Sequence, residues 1–285
     1  MNNVSEHIVT LPYCKLHYIR MGQGPPLVIL PATYSKLDNW LGLAQFMAQK
    51  FTIYFFELPG HGQSVLLAKN YSSQLIARSV DHFLDSQGIA KSNLMGFSFG
   101  GVLAVRVLEH LPQRIDKVIL VSPLFDSRAL KNPWVKQVIT KCLVRLGQHA
   151  PMQNVLHRAF LSEYSRKLVL RALKGMVRVE NADLLEEEVS RIPSHTLKVL
   201  LEQADDIFHT FPLEILPKLP HRCYFAMSVN DPLIDYQLTV ARVREIFSSV
   251  YVKEFDFPYH QPRESLSLKY LNQHYRDLLD VITEG

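Results

Sequence analysis

Only three cysteines, Cys14, Cys142 and Cys223, occur in 285 residues. An odd, scattered set does not make a disulfide framework and favours reduced thiols in a cytoplasmic setting. No Cys-x-x-Cys pair and no His-x-x-x-His spacing accompanies them, so no metal site is expected. The glycine-bearing segments lack the Gly-x-Gly-x-x-Gly and Gly-Lys-Ser/Thr arrangements that cradle nucleotide phosphates, so no cofactor is expected either. No apolar run approaches the roughly 20 residues needed to cross a bilayer, which argues against a membrane partner. Met1 to His7 hold no basic segment followed by an apolar core, so no signal peptide is expected. The formal net charge is only +4, and basic residues do not cluster with aromatics, which argues against nucleic acid. Repeats and low-complexity tracts are missing. These absences leave a globular enzyme or a binding protein that works with its own side chains.

Hydrophobic residues make up 47% of the chain, enough for one large core plus an insertion. Leu27–Leu30 reads as an apolar strand, followed by Pro31-Ala32-Thr33-Tyr34-Ser35 and a helix to about Lys50. Phe51–Phe56 is a second strand, and Glu57 to Ser64 a glycine-rich turn. A helix follows at about Ser72–Gln87, then a strand ending at Asn93-Leu94-Met95, and a helix from Gly101 to His110. Asp116–Ser122 is the next strand. Strand and helix alternating at this spacing predict a mostly parallel sheet with helices on both faces.

Between the third of these strands and its helix lies Gly96-Phe97-Ser98-Phe99-Gly100. Gly-x-Ser-x-Gly between a strand and a helix holds the serine in a strained turn, its oxygen exposed at the top of the sheet. A Cβ on either glycine would strike the adjacent strand or helix. The helix start also favours a developing anion. The plainer reading is a tight turn whose serine caps the helix.

Four motifs in order resemble the α/β-hydrolase family: the Pro31–Ser35 loop, the Pro59-Gly60-His61-Gly62-Gln63-Ser64 turn, the Gly96–Gly100 elbow, and Tyr259-His260-Gln261-Pro262-Arg263-Glu264 near the end. The last is similar to the family's His-x-Pro-x-x-Glu signature. The resemblance implies the chain order nucleophile, acid, histidine. Cys223–Ser228 reads as a strand leading into Val229-Asn230-Asp231-Pro232-Leu233-Ile234, which looks like the family's acid loop. By this resemblance Ser98 is the nucleophile, Asp231 the acid and His260 the base. Asp126 is the substitute acid, since some family members recruit theirs at that point, and His61 is a rival histidine that more simply shapes its loop. A serine hydroxyl needs an adjacent imidazole to take its proton, and a carboxylate to hold that ring in the right tautomer. The resemblance puts the oxyanion donors at the backbone N–H groups of Phe99 and Thr33. The family's usual His-Gly pair is replaced here by Pro31-Ala32, and Ala32 carries a Cβ that glycine lacks.

The expected domains are an α/β-hydrolase core over 1–125 and 214–285, and a helical lid over 126–213. Trp134, Val135, Val138, Ile139, Leu143 and Leu146 recur at helical spacing in the lid. Tyr34, Phe160, Tyr164 and Met152 are candidates to line a substrate pocket. Ten Lys/Arg against Glu163 alone lie between Lys131 and Arg178, and eight Asp/Glu against Arg191 and Lys198 between Glu180 and Asp206. The basic half would fit an anionic acyl carrier as partner. Alternatively the two halves pair with each other or face solvent.

The resemblance therefore implies a cytoplasmic serine hydrolase with a helical lid, acting on a small apolar ester, thioester, lactone or related activated carbonyl. Lyases and acyltransferases of the family share the same three residues. A receptor on the same scaffold, with a slow or silent triad, is the non-enzymatic alternative. Serine at the elbow argues against the aspartate-dependent dehalogenase and epoxide hydrolase branches.

Overall fold

The computed structural model describes residues 4–33, 37–125, 127–131, 193–209, 218–258, 260 and 267–284, together with 141, 142, 144–147, 151, 152, 155 and 158. Nine strands are described, the central ones where apolar residues run unbroken. They are β1 (Ser5–Thr10), β2 (Cys14–Met21), β3 (Pro26–Leu30), β4 (Thr52–Phe56), β5 (Val65–Leu66), β6 (Ser92–Phe97), β7 (Ile115–Val121), β8 (Leu219–Ser228) and β9 (Phe247–Phe255). Among the described residues the sheet runs β1-β2-β4-β3-β6-β7-β8-β9, with β5 beside β2. Pairings from β4 through β9 are parallel, and β1 and β2 add an antiparallel edge. This is the mostly parallel sheet that the alternation of elements predicts. The β1–β2 edge is an addition, because the sequence reading begins its strands at Leu27.

Alternate residues of each strand feed opposite faces. Val28, Leu30, Phe56, Leu94 and Leu120 point to one core, while Leu27, Ile29, Phe55, Met95 and Ile119 point to the other. Helices α2 (Ser73–Ser86), α3 (Phe99–His110) and α5 (Tyr236–Ile246) bring Ile76, Phe83, Val102 and Val243 to the first core. Helices α1 (Leu41–Met47), α6 (Leu268–His274) and α7 (Arg276–Glu284) bring Phe46, Leu271 and Leu279 to the second. Each fully buried aliphatic or phenylalanine side chain contributes about 1.5–3 kcal/mol. Because β3, β6, β7, β8 and β9 run parallel, their carboxyl ends share one edge, where open α/β sheets gather their sites.

Within 126–213, helix α4 (Ser194–His209) is described, and the described positions between 141 and 158 are helical. Trp134, Val135, Val138, Ile139 and Leu143 lie outside the described residues, whereas Leu146 is exposed. Helix α4 docks on the turn after β4 and on the start of α2. The Thr196 hydroxyl donates to the Gly60 carbonyl at 2.8 Å. Glu202 accepts from the Tyr71 N–H at 2.9 Å and Asp206 from the Ser73 N–H at 2.6 Å. The last of these places a carboxylate on the positive start of α2. Part of the acidic half of the insertion thus meets the main chain of the core. No helix among the described residues is long and apolar enough to cross a membrane.

Candidate active site

Ser98 stands between the last residue of β6 and the first of α3, with φ 51° and ψ −114°. That left-handed backbone is unusual for a residue with a side chain and is held by its surroundings. The Ser98 N–H donates to the Val121 carbonyl at 3.1 Å, and the Ser98 carbonyl accepts from Gly101 and Leu124, both at 2.9 Å. Glycine is needed on either side. A Cβ on Gly96 would lie 2.3 Å from the Gly100 carbonyl oxygen, and one on Gly100 only 2.0 Å from that of Leu30. The close approach at Gly100 also sets the start of the Pro31–Thr33 loop against the first turn of α3.

The Ser98 hydroxyl does not cap α3. It meets His260 instead, 3.0 Å from Nε2. His260 Nδ1 lies 2.6 Å from Asp231 Oδ2. A carboxylate only accepts, so Nδ1 carries the proton and Nε2 presents its lone pair to the serine O–H. Asp231 is fully buried, and its other oxygen accepts from the N–H groups of Leu233 at 2.8 Å and Ile234 at 2.9 Å. Both oxygens are thereby engaged, which satisfies a buried charge. The Phe97 ring stands 5.6 Å from the His260 ring. Behind that histidine is an apolar cavity of about 50 Å³ lined by Trp40, Phe46, Phe97, Tyr275 and others.

Ser98 is thus brought to Asp231 and His260 from a segment more than a hundred residues away along the chain. Phe99 is buried at the first position of α3, where a helix N–H has no intrahelical acceptor. Thr33 is exposed in the loop beside it. Tyr34, Phe160, Tyr164 and Asp126 lie outside the described residues, and Met152 is exposed. His61 is buried beside α4. The Gln203 side-chain amide of α4 donates to its Nε2 at 3.0 Å, and burial followed by the charge of His195 holds its pKa down at about 4. Lys131, at the start of the basic half of the insertion, donates its ammonium to the Asp231 carbonyl at 2.8 Å. Ser228, which no motif marks, joins the acid loop to the segment before His260. Among the described residues no cluster of three or more His, Cys, Asp or Glu is placed to hold a metal.

The fold and this arrangement define an α/β protein with a hydrogen-bonded serine, histidine and aspartate at the carboxyl edge of its sheet. Residues 25–140 match the family model described as the alpha/beta hydrolase fold. The chain has the α/β-hydrolase fold. It is 34% identical over 127 residues to the dihydrolipoyllysine-residue acetyltransferase component of an acetoin cleaving system from Cupriavidus necator, covering 44% of this chain and 34% of that one. It is 30% identical over 121 residues to a pimeloyl-[acyl-carrier protein] methyl ester esterase from Nitrosomonas europaea, covering 42% and 46%. The matches therefore span between a third and a half of these relatives' lengths. A membrane phospholipase A, a bacterial virulence factor, superposes with a TM-score of 0.71 at 19% identity, over 99% of this chain and 87% of that one. At that identity the likeness concerns the fold.

Proposed function

We propose that this chain is a serine hydrolase that cleaves a carboxylic ester or thioester through an acyl-enzyme. The observation that carries the reading is the continuous path from Ser98 Oγ to His260 at 3.0 Å and on to Asp231 at 2.6 Å. Ser98 Oγ attacks the carbonyl carbon while its proton passes to His260 Nε2. The buried Asp231 carboxylate stabilises the imidazolium that forms. Negative charge gathers on the carbonyl oxygen, where the Phe99 N–H and the start of α3 meet it, with Thr33 as second donor. Collapse breaks the bond to the leaving alkoxide or thiolate, which takes the proton from His260. Water then attacks the acyl group with His260 again as base. Acid is released and Ser98 regains its proton.

The pimeloyl-[acyl-carrier protein] methyl ester esterase supports an ester, and an acyl carrier as the source of the substrate. Residues 126–213 act as a helical lid over an apolar pocket that includes Tyr34, Phe160 and Tyr164. Three free cysteines, two of them buried, suit the cytoplasm. A second reading, acyl transfer to an acceptor other than water, draws on the relative named as an acetyltransferase component. The test is labelling by a fluorophosphonate, followed by turnover of a panel of short and long aryl esters and thioesters. Labelling that is lost in Ser98→Ala, with water as the acyl acceptor, is the expected result. Equal labelling of the Ser98→Ala protein would reject the nucleophile, and product formed only with an added alcohol or thiol would favour transfer.

A further inference from the structure

We propose that Lys131 is a positioning residue for the catalytic acid; the proposal rests on the triad reading just given. After a short 3-10 turn at Ser127–Ala129, the chain runs antiparallel to the acid loop. The Asp235 N–H donates to the Ala129 carbonyl at 2.7 Å, Leu130 bridges Ile234, and the Lys131 N–H donates to the Leu233 carbonyl at 2.9 Å. This strap delivers the Lys131 ammonium to the Asp231 carbonyl at 2.8 Å.

That carbonyl matters because the next residue is Pro232. The peptide joining them has no N–H, so its carbonyl is its only hydrogen-bonding group. Among the described residues Lys131 supplies the one hydrogen bond to it. On the preceding side the Asp231 N–H reaches the Ser228 carbonyl at a long 3.3 Å. The charge-assisted bond from Lys131 is the shorter of the two and fixes the peptide plane from which the carboxyl hangs. Both side-chain oxygens of Asp231 are already engaged by Leu233, Ile234 and His260. A tilt of that peptide therefore moves the carboxylate relative to the imidazole without opening the core. Lys131 as a whole is exposed, so its loss changes geometry far more than stability.

The test uses the full chain with an uncharged aryl ester, comparing Lys131→Met, Lys131→Arg, Asp231→Asn and the Lys131→Met/Asp231→Asn double variant. Lys131→Met is expected to lower kcat about fivefold with KM within about twofold, as a small misplacement of a reacting group does. Lys131→Arg, which keeps a cationic donor, recovers most of that loss, and the melting temperature stays as in the parent. In the Asp231→Asn background the Met change costs nothing further, because a residue that acts through the acid is silent once the acid is gone. An unaltered kcat in Lys131→Met overturns the proposal, as does an equal fold loss in both backgrounds. Full activity in Ser98→Ala would overturn the triad reading itself. Its loss there, with Lys131→Met unaffected, overturns the role of Lys131 alone.

Discussion

The Ser228 hydroxyl is bonded twice to Phe257: it donates to the Phe257 carbonyl at 2.6 Å and accepts from the Phe257 N–H at 2.9 Å. It also accepts from the Asn230 N–H at 3.1 Å. One buried oxygen thereby ties the end of β8, which leads to Asp231, to the segment after β9, which leads to His260. A main-chain bond from the Val229 N–H to the Phe255 carbonyl at 2.9 Å reinforces the junction, and Asn230 reaches across it to Asp256. The 2.6 Å contact between acid and histidine is the outcome of this splice, since neither residue is held by the other alone.

Ser228→Ala removes the hydroxyl that bonds the Phe257 carbonyl and the N–H groups of Phe257 and Asn230. The expected destabilisation is about 2–3 kcal/mol, the cost of unsatisfied groups in a partly buried site. Turnover should fall about tenfold, because the two loops lose their common anchor. Urea denaturation and aryl ester kinetics on one preparation measure both. A loss of stability with kcat unchanged would separate the splice from the chemistry.

Asp231→Asn replaces the carboxylate with an amide that cannot stabilise an imidazolium. A fall in kcat of about 10³–10⁴-fold is expected, with substrate binding little changed. Asp126→Asn is the comparison, and a mild effect is expected there. The opposite ranking, read from kcat and KM, would move the acid to the loop after β7.

The central strands were legible because a parallel strand buried on both faces reads as a solid apolar run, as in Leu27-Val28-Ile29-Leu30. The antiparallel edge was not. Ser5–Thr10 is mostly exposed, and Cys14–Met21 mixes Lys15, His17 and Arg20 into its apolar positions, so neither shows a clean pattern. Ser98, Asp231 and His260 were legible for a different reason: each sits in a short local motif whose order along the chain is informative. Ser228 and Lys131 carry no such mark. A serine at a strand end and a lysine in a basic run are common, and their roles arise only where distant segments pair. His17 and Glu57, 3.1 Å apart and both buried, went unread for the same cause.

Gly100→Ala should prevent proper closure of the elbow. The new methyl would meet the Leu30 main chain, which cannot rotate aside as a side chain can. A destabilisation of about 3 kcal/mol is expected, at the upper end for overpacking, together with loss of fluorophosphonate labelling. A melting curve matching the parent would show that β3 and α3 have room to separate.

The His61 side chain is buried against Gln203 of α4. Burial first, and the nearby charge of His195 second, lower its pKa from about 6.5 to about 4. In the unfolded chain the same imidazole protonates near 6.5, so between these values the unfolded state binds the extra proton. Stability from this group is therefore fully present above pH 6.5 and declines as pH falls toward 4. Each pH unit inside that window costs about 1.4 kcal/mol, so roughly 2 kcal/mol is lost from this site between pH 6 and pH 4.5. Carboxylates contribute their own slope at acid pH, and the comparison must remove it. His61→Asn does so, since it keeps a polar group at the site but does not titrate. The variant should be less stable than the parent at pH 7.5, where its packing is poorer, yet lose less between pH 6 and pH 4.5. Urea midpoints at four pH values on both proteins measure the difference in slope. Parallel curves would show that the contact between α4 and the Pro59–Ser64 turn does not sense protonation of His61.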